Sequence, residues 1–185
     1  IIAVLSSGRI TRSIEIANRA RTDLIGRCQV HVVDSRFISR AQGNLVTEAA
    51  QAAQAGAEAG EIVRHINGLI SRTYMAFYVE TAEYLVRNSL VENTPDYLGT
   101  ASGYKPILLV EDGRIVPIQR SRKRGEAIDR MVEFVGEFVD LSRLSIISTG
   151  LHPTLKSLRS ELVDSLPEQP FEEHIYGPVV SSYFG

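Results

Sequence analysis

Apolar and polar positions change rhythm along this chain, and the changes predict its elements. Residues 1–5 (IIAVL) form an unbroken apolar run, as expected of a fully buried strand. Ser6-Ser7-Gly8 then interrupts it. From residue 12 to 24 the period becomes helical, with Ile14, Ala17, Ala20 and Leu24 on one face. "CQVHVVDS" predicts a second strand ending at Asp34-Ser35, and Cys28 at its start is expected to be a small buried apolar residue. "NLVTEAAQAAQAG" predicts an amphipathic helix that Gly56 can end. "AGEIVRHINGLISR" predicts another, with Ile62, Ile66, Leu69 and Ile70 on its apolar face. Strand, helix, strand, helix, helix is the order of a parallel α/β layer.

The pattern shifts after residue 73. "TYMAFYVE" predicts a strand and "TAEYLVRNSLV" a short helix capped by Thr81. "TPDYLGTASGY" reads as loop or broken helix. "KPILLVEDGRIVPIQR" predicts a hairpin, two apolar strands around Glu111-Asp112-Gly113-Arg114. A long helix should follow, with Ile128, Met131, Val132, Val135, Phe138 and Val139 at helical spacing. "RLSIIST" predicts a strand, Pro153 should open a helix through Leu166, and "EEHIYGPVVSSYFG" reads as extended, broken at Gly177-Pro178. The expected fold is therefore α/β with two lobes. Residues 1–73 form a parallel-sheet layer, and residues 74–185 form a mixed α/β lobe with the hairpin.

Composition narrows the function classes. Apolar residues make up 44% and charged residues 23% of the 185, ordinary values for a globular chain. No apolar run approaches the roughly 20 residues that cross a bilayer, so no stable membrane insertion is expected. A net charge of -2 argues against nucleic-acid binding. The single Cys28 cannot form an internal disulfide and fits a reducing, cytoplasmic compartment. A start without Met, directly in strand-like sequence, is the expected look of a fragment lacking an N-terminal part.

Three stretches carry candidate chemistry. Ser6-Ser7-Gly8 stands where a strand feeds a helix, at the sheet edge where ligands commonly bind. Hydroxyl donors and unpaired helix N–H groups there suit a carboxylate or phosphate. The plainer reading is that Ser7 or Thr11 only caps the helix, and the sequence leaves both open. "QRSRKRG" puts Arg120, Arg122, Lys123 and Arg124 where a helix begins, against the dipole. Those cations are a solvated turn, or they face an anion or a partner. Ser181-Ser182-Tyr183 repeats the serine pair after an apolar run. His31, His65, His152 and His174 lack metal-ligand spacing, and His31 reads as a satisfied structural histidine. No G-x-S-x-G elbow, P-loop or C-x-x-C motif is present, so a phosphate-handling enzyme built on Arg120–Arg124 has no nucleophile or base to offer.

These stretches, taken in order, resemble the DegV family of bacterial fatty-acid-binding proteins. Ser6-Ser7-Gly8 matches the start of that family's S-S-x-L-S-G-T turn, and "VVDS" (32–35) its strand ending in D-S. "VTEAAQAAQAG" matches an Ala- and Glu-rich helix, and Thr81, Glu83, Tyr84 and Leu85 match T-x-E-Y-L. Lys105-Pro106-Ile107-Leu108, then Glu111-Asp112-Gly113, Ile115 and Pro117, match K-P-I-L…E-D-G-x-I-x-P. Arg120-Ser121-Arg122-Lys123 stands at K-V-R-G, and residues 176–183 (YGPVVSSY) stand at I-G-P-V-I-G-T-H. The chain departs from the family at Arg9-Ile10-Thr11-Arg12, at Asn88-Ser89-Leu90-Val91, where an arginine is lost, and at Tyr183, where the family has histidine.

The resemblance implies a non-catalytic carrier with a long apolar tunnel between two lobes. It implies a bound long-chain fatty acid as ligand and no cofactor or metal. Ser7, with Ser6 and Gly8, would hold the carboxylate, near Ser182 and Tyr183. Arg120 and Arg122 would face the head group or a separate fatty-acid kinase that makes an acyl phosphate. A chain worth about 0.8 kcal/mol per buried methylene needs only an apolar slot and a few fixed donors. The alternative is a divergent member acting as a protein-interaction or regulatory module without lipid transfer. A fragment of this kind is also expected to self-associate through exposed sheet edge.

Overall fold

The computed structural model describes residues 1–91, 105–150 and 153–185. The whole "TPDYLGTASGY" segment, and His152, lie outside them. Close contacts group the chain into two units, Ile1–Met75 with Val110–Val116, and Ala76–Leu109 with Pro117–Gly185.

In the first unit, β1 (Ile2–Leu5) leads through the Ser6-Ser7-Gly8 turn to α1 (Ser13–Asp23), and β2 (His31–Asp34) returns parallel to β1. The register pairs Ile2 with His31 and Leu5 with Asp34, so both strands end at the same edge. α2 (Ser39–Gln54) buries Leu45 and Ala49, and α3 (Ala59–Ile70) buries Ile62, Ile66 and Ile70. The spacing of four puts the three isoleucines on one stripe. Burying Ile66 completely is worth about 1.5–3 kcal/mol. A reciprocal cap between Glu58 and Glu61 starts α3.

The second unit holds β3 (Ala76–Tyr78), α4 (Glu83–Arg87), most of β4 (Lys105–Glu111) and of β5 (Arg114–Ser121), and α5 (Arg124–Gly136). It also holds β6 (Leu144–Ser148), α6 (Pro153–Ser165), β7 (Phe171–Ile175) and α7 (Pro178–Phe184). β3, β4 and β5 form one sheet with β3 antiparallel to β4, and β6 pairs parallel with β7. Leu85, Ile107, Leu108, Ala127, Ile128 and Leu162 are buried. Phe77 meets Phe184 edge-to-face at 5.1 Å. Thr81 Oγ1 accepts the Glu83 N–H at 3.2 Å, at the first turn of α4.

The tip of the β4–β5 hairpin, Val110–Val116, belongs to the first unit. Asp112 and Gly113 take φ of 47° and 80°, two consecutive positive values as a two-residue type I′ turn requires. Glycine meets that demand without strain, which is why D-G was the legible signal.

Four expectations need correction. β1 is not fully buried: only Val4 is, because β2 is its one strand partner among the described residues. Cys28 is exposed. The parallel ladder begins at His31, so Cys28 falls in the turn before it, while the Ile1 ammonium bonds the Gln29 carbonyl at 2.8 Å. α5 stops at Gly136, a poor helix former, and Val139 is 97% exposed. Finally, residues 178–184 are helical. Gly177 stays extended, Pro178 occupies the first turn where its missing N–H costs nothing, and the helix carries Phe184 into the core.

Candidate functional site

The first candidate is built at the end of β1. Ser7 is fully buried, and its backbone N–H donates to Phe37 O at 2.8 Å. Its hydroxyl donates to the Gly113 carbonyl at 2.7 Å and accepts the Arg9 N–H at 3.2 Å. A Cβ added at Gly113 would lie 2.7 Å from Ser7 Oγ, so the hairpin tip rests directly on this hydroxyl. Exposed Arg36, itself at φ 60°, ties the same tip by an ion pair to Asp112 at 2.9 Å.

Ser6 points elsewhere. Its hydroxyl lies 2.9 Å from Thr11 Oγ1 and 3.0 Å from Ser13 Oγ, and those two are 2.7 Å apart. The result is a half-buried triangle of hydroxyls just before α1. The N-cap of α1, Arg12, makes no side-chain cap bond, but Thr11 Oγ1 accepts the N–H of Ser13, the first helical residue, at 3.4 Å, whereas the Ser7 hydroxyl does not reach the helix. Thr11 thus serves the helix start from within a local hydroxyl network, and Ser7 does not.

The turn also contains a carboxylate of its own. Asp34 Oδ2 accepts the Gly8 N–H at 3.2 Å, and Asp34 Oδ1 accepts the Arg36 N–H at 2.8 Å. A Cβ at Gly8 would meet Asp34 Oδ2 at 3.1 Å and Ile14 at 3.2 Å, so glycine permits this close approach. The backbone N–H groups of residues 8 to 11 are all engaged within the chain. What the turn offers an incoming group is therefore rotatable hydroxyls.

The second candidate is the basic stretch. Arg120 is the penultimate residue of β5, Arg122 lies in the turn, and α5 starts at Arg124. Both Arg120 and Arg122 are exposed. Ser121 is buried instead. It accepts the Lys123 N–H at 3.1 Å and lies 2.7 Å from Glu126 Oε2, fixing the start of α5. The cations find an acidic partner that sequence reasoning missed, Glu80. It pairs with Arg124 at 2.8 Å and with Lys105, and it accepts the Tyr78 hydroxyl at 2.8 Å. Burial alone would raise the Glu80 carboxyl. Hydrogen bonds from Lys105, Arg124 and Tyr78 outweigh it and hold the group at about 2. Burial first, then the hydrogen bond to Glu80, pushes the Tyr78 phenol up, against Arg124, which lowers it. No local sequence pattern marks Glu80, since its cationic partners stand 25 and 44 residues away.

Ser182 and Tyr183 lie on α7 in the second unit. The Ser182 hydroxyl bonds the Val179 carbonyl at 2.7 Å, and its own carbonyl accepts Asn88 Nδ2 at 3.0 Å. His31 departs from expectation, because its Nε2 is buried without a hydrogen-bond partner. Among the described residues no group of His, Cys, Asp and Glu could hold a metal ion. No helix there is long and apolar enough to cross a membrane.

The family model described as "Uncharacterised protein, DegV family" matches residues 1–185, and the chain belongs to that family. A DegV domain-containing protein of Deinococcus radiodurans is 31% identical over 138 residues, covering 75% of this chain and 47% of its own length. One from Halalkalibacterium halodurans is 28% identical over 189 residues, covering 100% and 66%. The chain thus spans about half to two thirds of the length of the curated relatives it matches.

Solved structures share the fold. The fatty acid binding DegV family protein of Streptococcus agalactiae superposes with a TM-score of 0.89 at 22% identity, over 100% of this chain and 66% of that one. A DegV family protein of Eubacterium eligens, loaded with heptadecanoic acid, superposes at 0.85 and 16% identity, over 100% and 69%.

Proposed function

We propose that the protein of which this chain is part binds a long-chain fatty acid without transforming it. We place the acid's carboxylate at the Ser6-Ser7-Gly8 turn, with Thr11 and Ser13 beside it. The observation that carries the reading is the convergence of the Ser6, Thr11 and Ser13 hydroxyls within 3.0 Å of one another at the end of a parallel strand. Each hydroxyl brings one rotatable donor, and a carboxylate accepts about four such bonds. Charge-assisted bonds of this kind are worth about 1.5–3 kcal/mol each. The description of relatives of the same fold as fatty acid binding points the same way.

A held acyl chain with its carboxylate accessible is a substrate for a separate kinase that makes an acyl phosphate. Exposed Arg120 and Arg122 are the residues we assign to facing such a partner. The carrier needs no nucleophile of its own for this.

Lipid extraction of the full-length protein, purified from a bacterial host, tests the reading. Mass spectrometry should detect a stoichiometric fatty acid. Ser6→Ala should lower its retention about tenfold, the equivalent of one lost charge-assisted bond. A clean extract from the intact wild-type protein would overturn the reading.

A further inference from the structure

A serine hydroxyl has one proton, and in this structure the Ser7 proton is already spent. Its partner at 2.7 Å is the Gly113 carbonyl, which has no hydrogen to give, so Ser7 must be the donor. One lone pair of the oxygen takes the Arg9 N–H. What remains on Ser7 Oγ is acceptor density, which repels a carboxylate. Access is closed as well. Ser7 is fully buried, and the tip of the hairpin lies against its oxygen, close enough that a Cβ at Gly113 would overlap it.

We infer that the Asp112-Gly113 tip is a latch that competes with a ligand carboxylate for the Ser7 proton. This inference rests on the fatty-acid reading above and concerns the regulation of that same site. For Ser7 to donate to an incoming carboxylate, its O–H must rotate off Gly113 O. The tip must also withdraw far enough to admit an oxygen. Binding at Ser7 and docking of the tip are then mutually exclusive, and each weakens the other by the same factor. Beyond the Ser7 bond, the exposed Arg36–Asp112 pair tethers the turn and adds a modest, salt-sensitive hold. Val110 and Ile115 are buried and anchor the strands on either side, so the motion is confined to the turn. The Ser6, Thr11 and Ser13 hydroxyls are only half-buried and lie closest to one another, with longer bonds of 3.3 Å from Thr11 to the Ser7 carbonyl and from Ser13 to the Ser6 carbonyl, so they receive the carboxylate first.

Hydrogen exchange on the delipidated full-length protein, with and without sodium oleate, tests the latch. A peptide covering residues 110–116 should exchange several-fold faster in protein that mass spectrometry shows to be oleate-loaded. Asp112→Asn keeps a residue that tolerates positive φ but removes the Arg36 tether, and should tighten oleate binding about two- to fivefold. Both effects are required. Exchange that is unchanged or slower in loaded protein makes Ser7 a permanent staple and overturns the latch, as does unchanged or weaker oleate binding by Asp112→Asn. Failure of the delipidated wild type to take up any oleate is a separate result: it removes the fatty-acid reading and the latch with it.

Discussion

The two polar centres of this molecule solve the same problem with opposite chemistry. Around Ser7, in the first unit, a long-range tie between β1 and a hairpin tip is made by a neutral hydroxyl and a carbonyl. Around Glu80, in the second unit, β3, β4 and α5 are tied by one carboxylate shared between two cations and a phenol. The Ser7 bond is fully buried, whereas the Glu80 side chain is 44% exposed. A buried neutral bond is insensitive to salt and pH and costs its desolvation when one partner is lost. A half-exposed ion network is screened by water and ions, so its geometry is specific but its energy is small. The number of contacts is a poor guide to which centre matters more: Glu80 makes more of them, yet Ser7 should be the costlier loss.

The apolar cores beneath both centres set the upper end of the scale. Ile66→Ala in the first unit and Leu108→Ala in the second remove fully buried side chains, and each should cost about 2–5 kcal/mol in urea unfolding. A much smaller cost in one unit alone would show that its core tolerates collapse. Next, Ser7→Ala strands the Gly113 carbonyl and the Arg9 N–H, and should cost about 1–3 kcal/mol with no added pH dependence. Calorimetric melting at two pH values checks it. A loss smaller than that of Glu80→Gln would invert the comparison.

Glu80→Gln should cost no more than about 1 kcal/mol near neutral pH, measured in low salt and again in high salt. Its clearer trace is in acid. The folded-state pKa of Glu80, about 2, lies below its ordinary 4.5. The stability it contributes is therefore complete above about 4.5 and is lost as the pH falls toward 2. Wild type should lose this increment in that window, and the glutamine variant should show a shallower acid slope. The smallest effect belongs to Cys28, exposed in the turn before β2. It should react with a thiol reagent without unfolding, and Cys28→Ser should change stability by less than about 0.5 kcal/mol.

Much of this was legible in the residues because it is encoded locally. The apolar stripe of α3, the D-G hairpin turn, the strand pair with Ser6-Ser7-Gly8 at its end and the helix opened by Pro153 each depend on neighbours a few positions apart. The errors fell where local pattern was ambiguous. Residues 178–184 carry a strand-like run of apolar residues, yet Pro178 and the burial of Phe184 make them a helix. Cys28 continues a strand-like sequence, yet the register with β1 begins three residues later.

The residues by themselves determined the alternation of strands and helices, the glycine at the hairpin turn and the presence of paired serines after β1, since backbone propensity and periodicity act over one or two turns of chain. Only the tertiary structure decided what those serines do. The Ser7 proton goes to a carbonyl 106 residues away, the Gly8 N–H goes to Asp34, and Glu80 gathers Lys105 and Arg124 from separate elements. Such bonds join groups that the chain brings together only after its apolar faces have packed, and no local pattern records where a folded chain will cross itself.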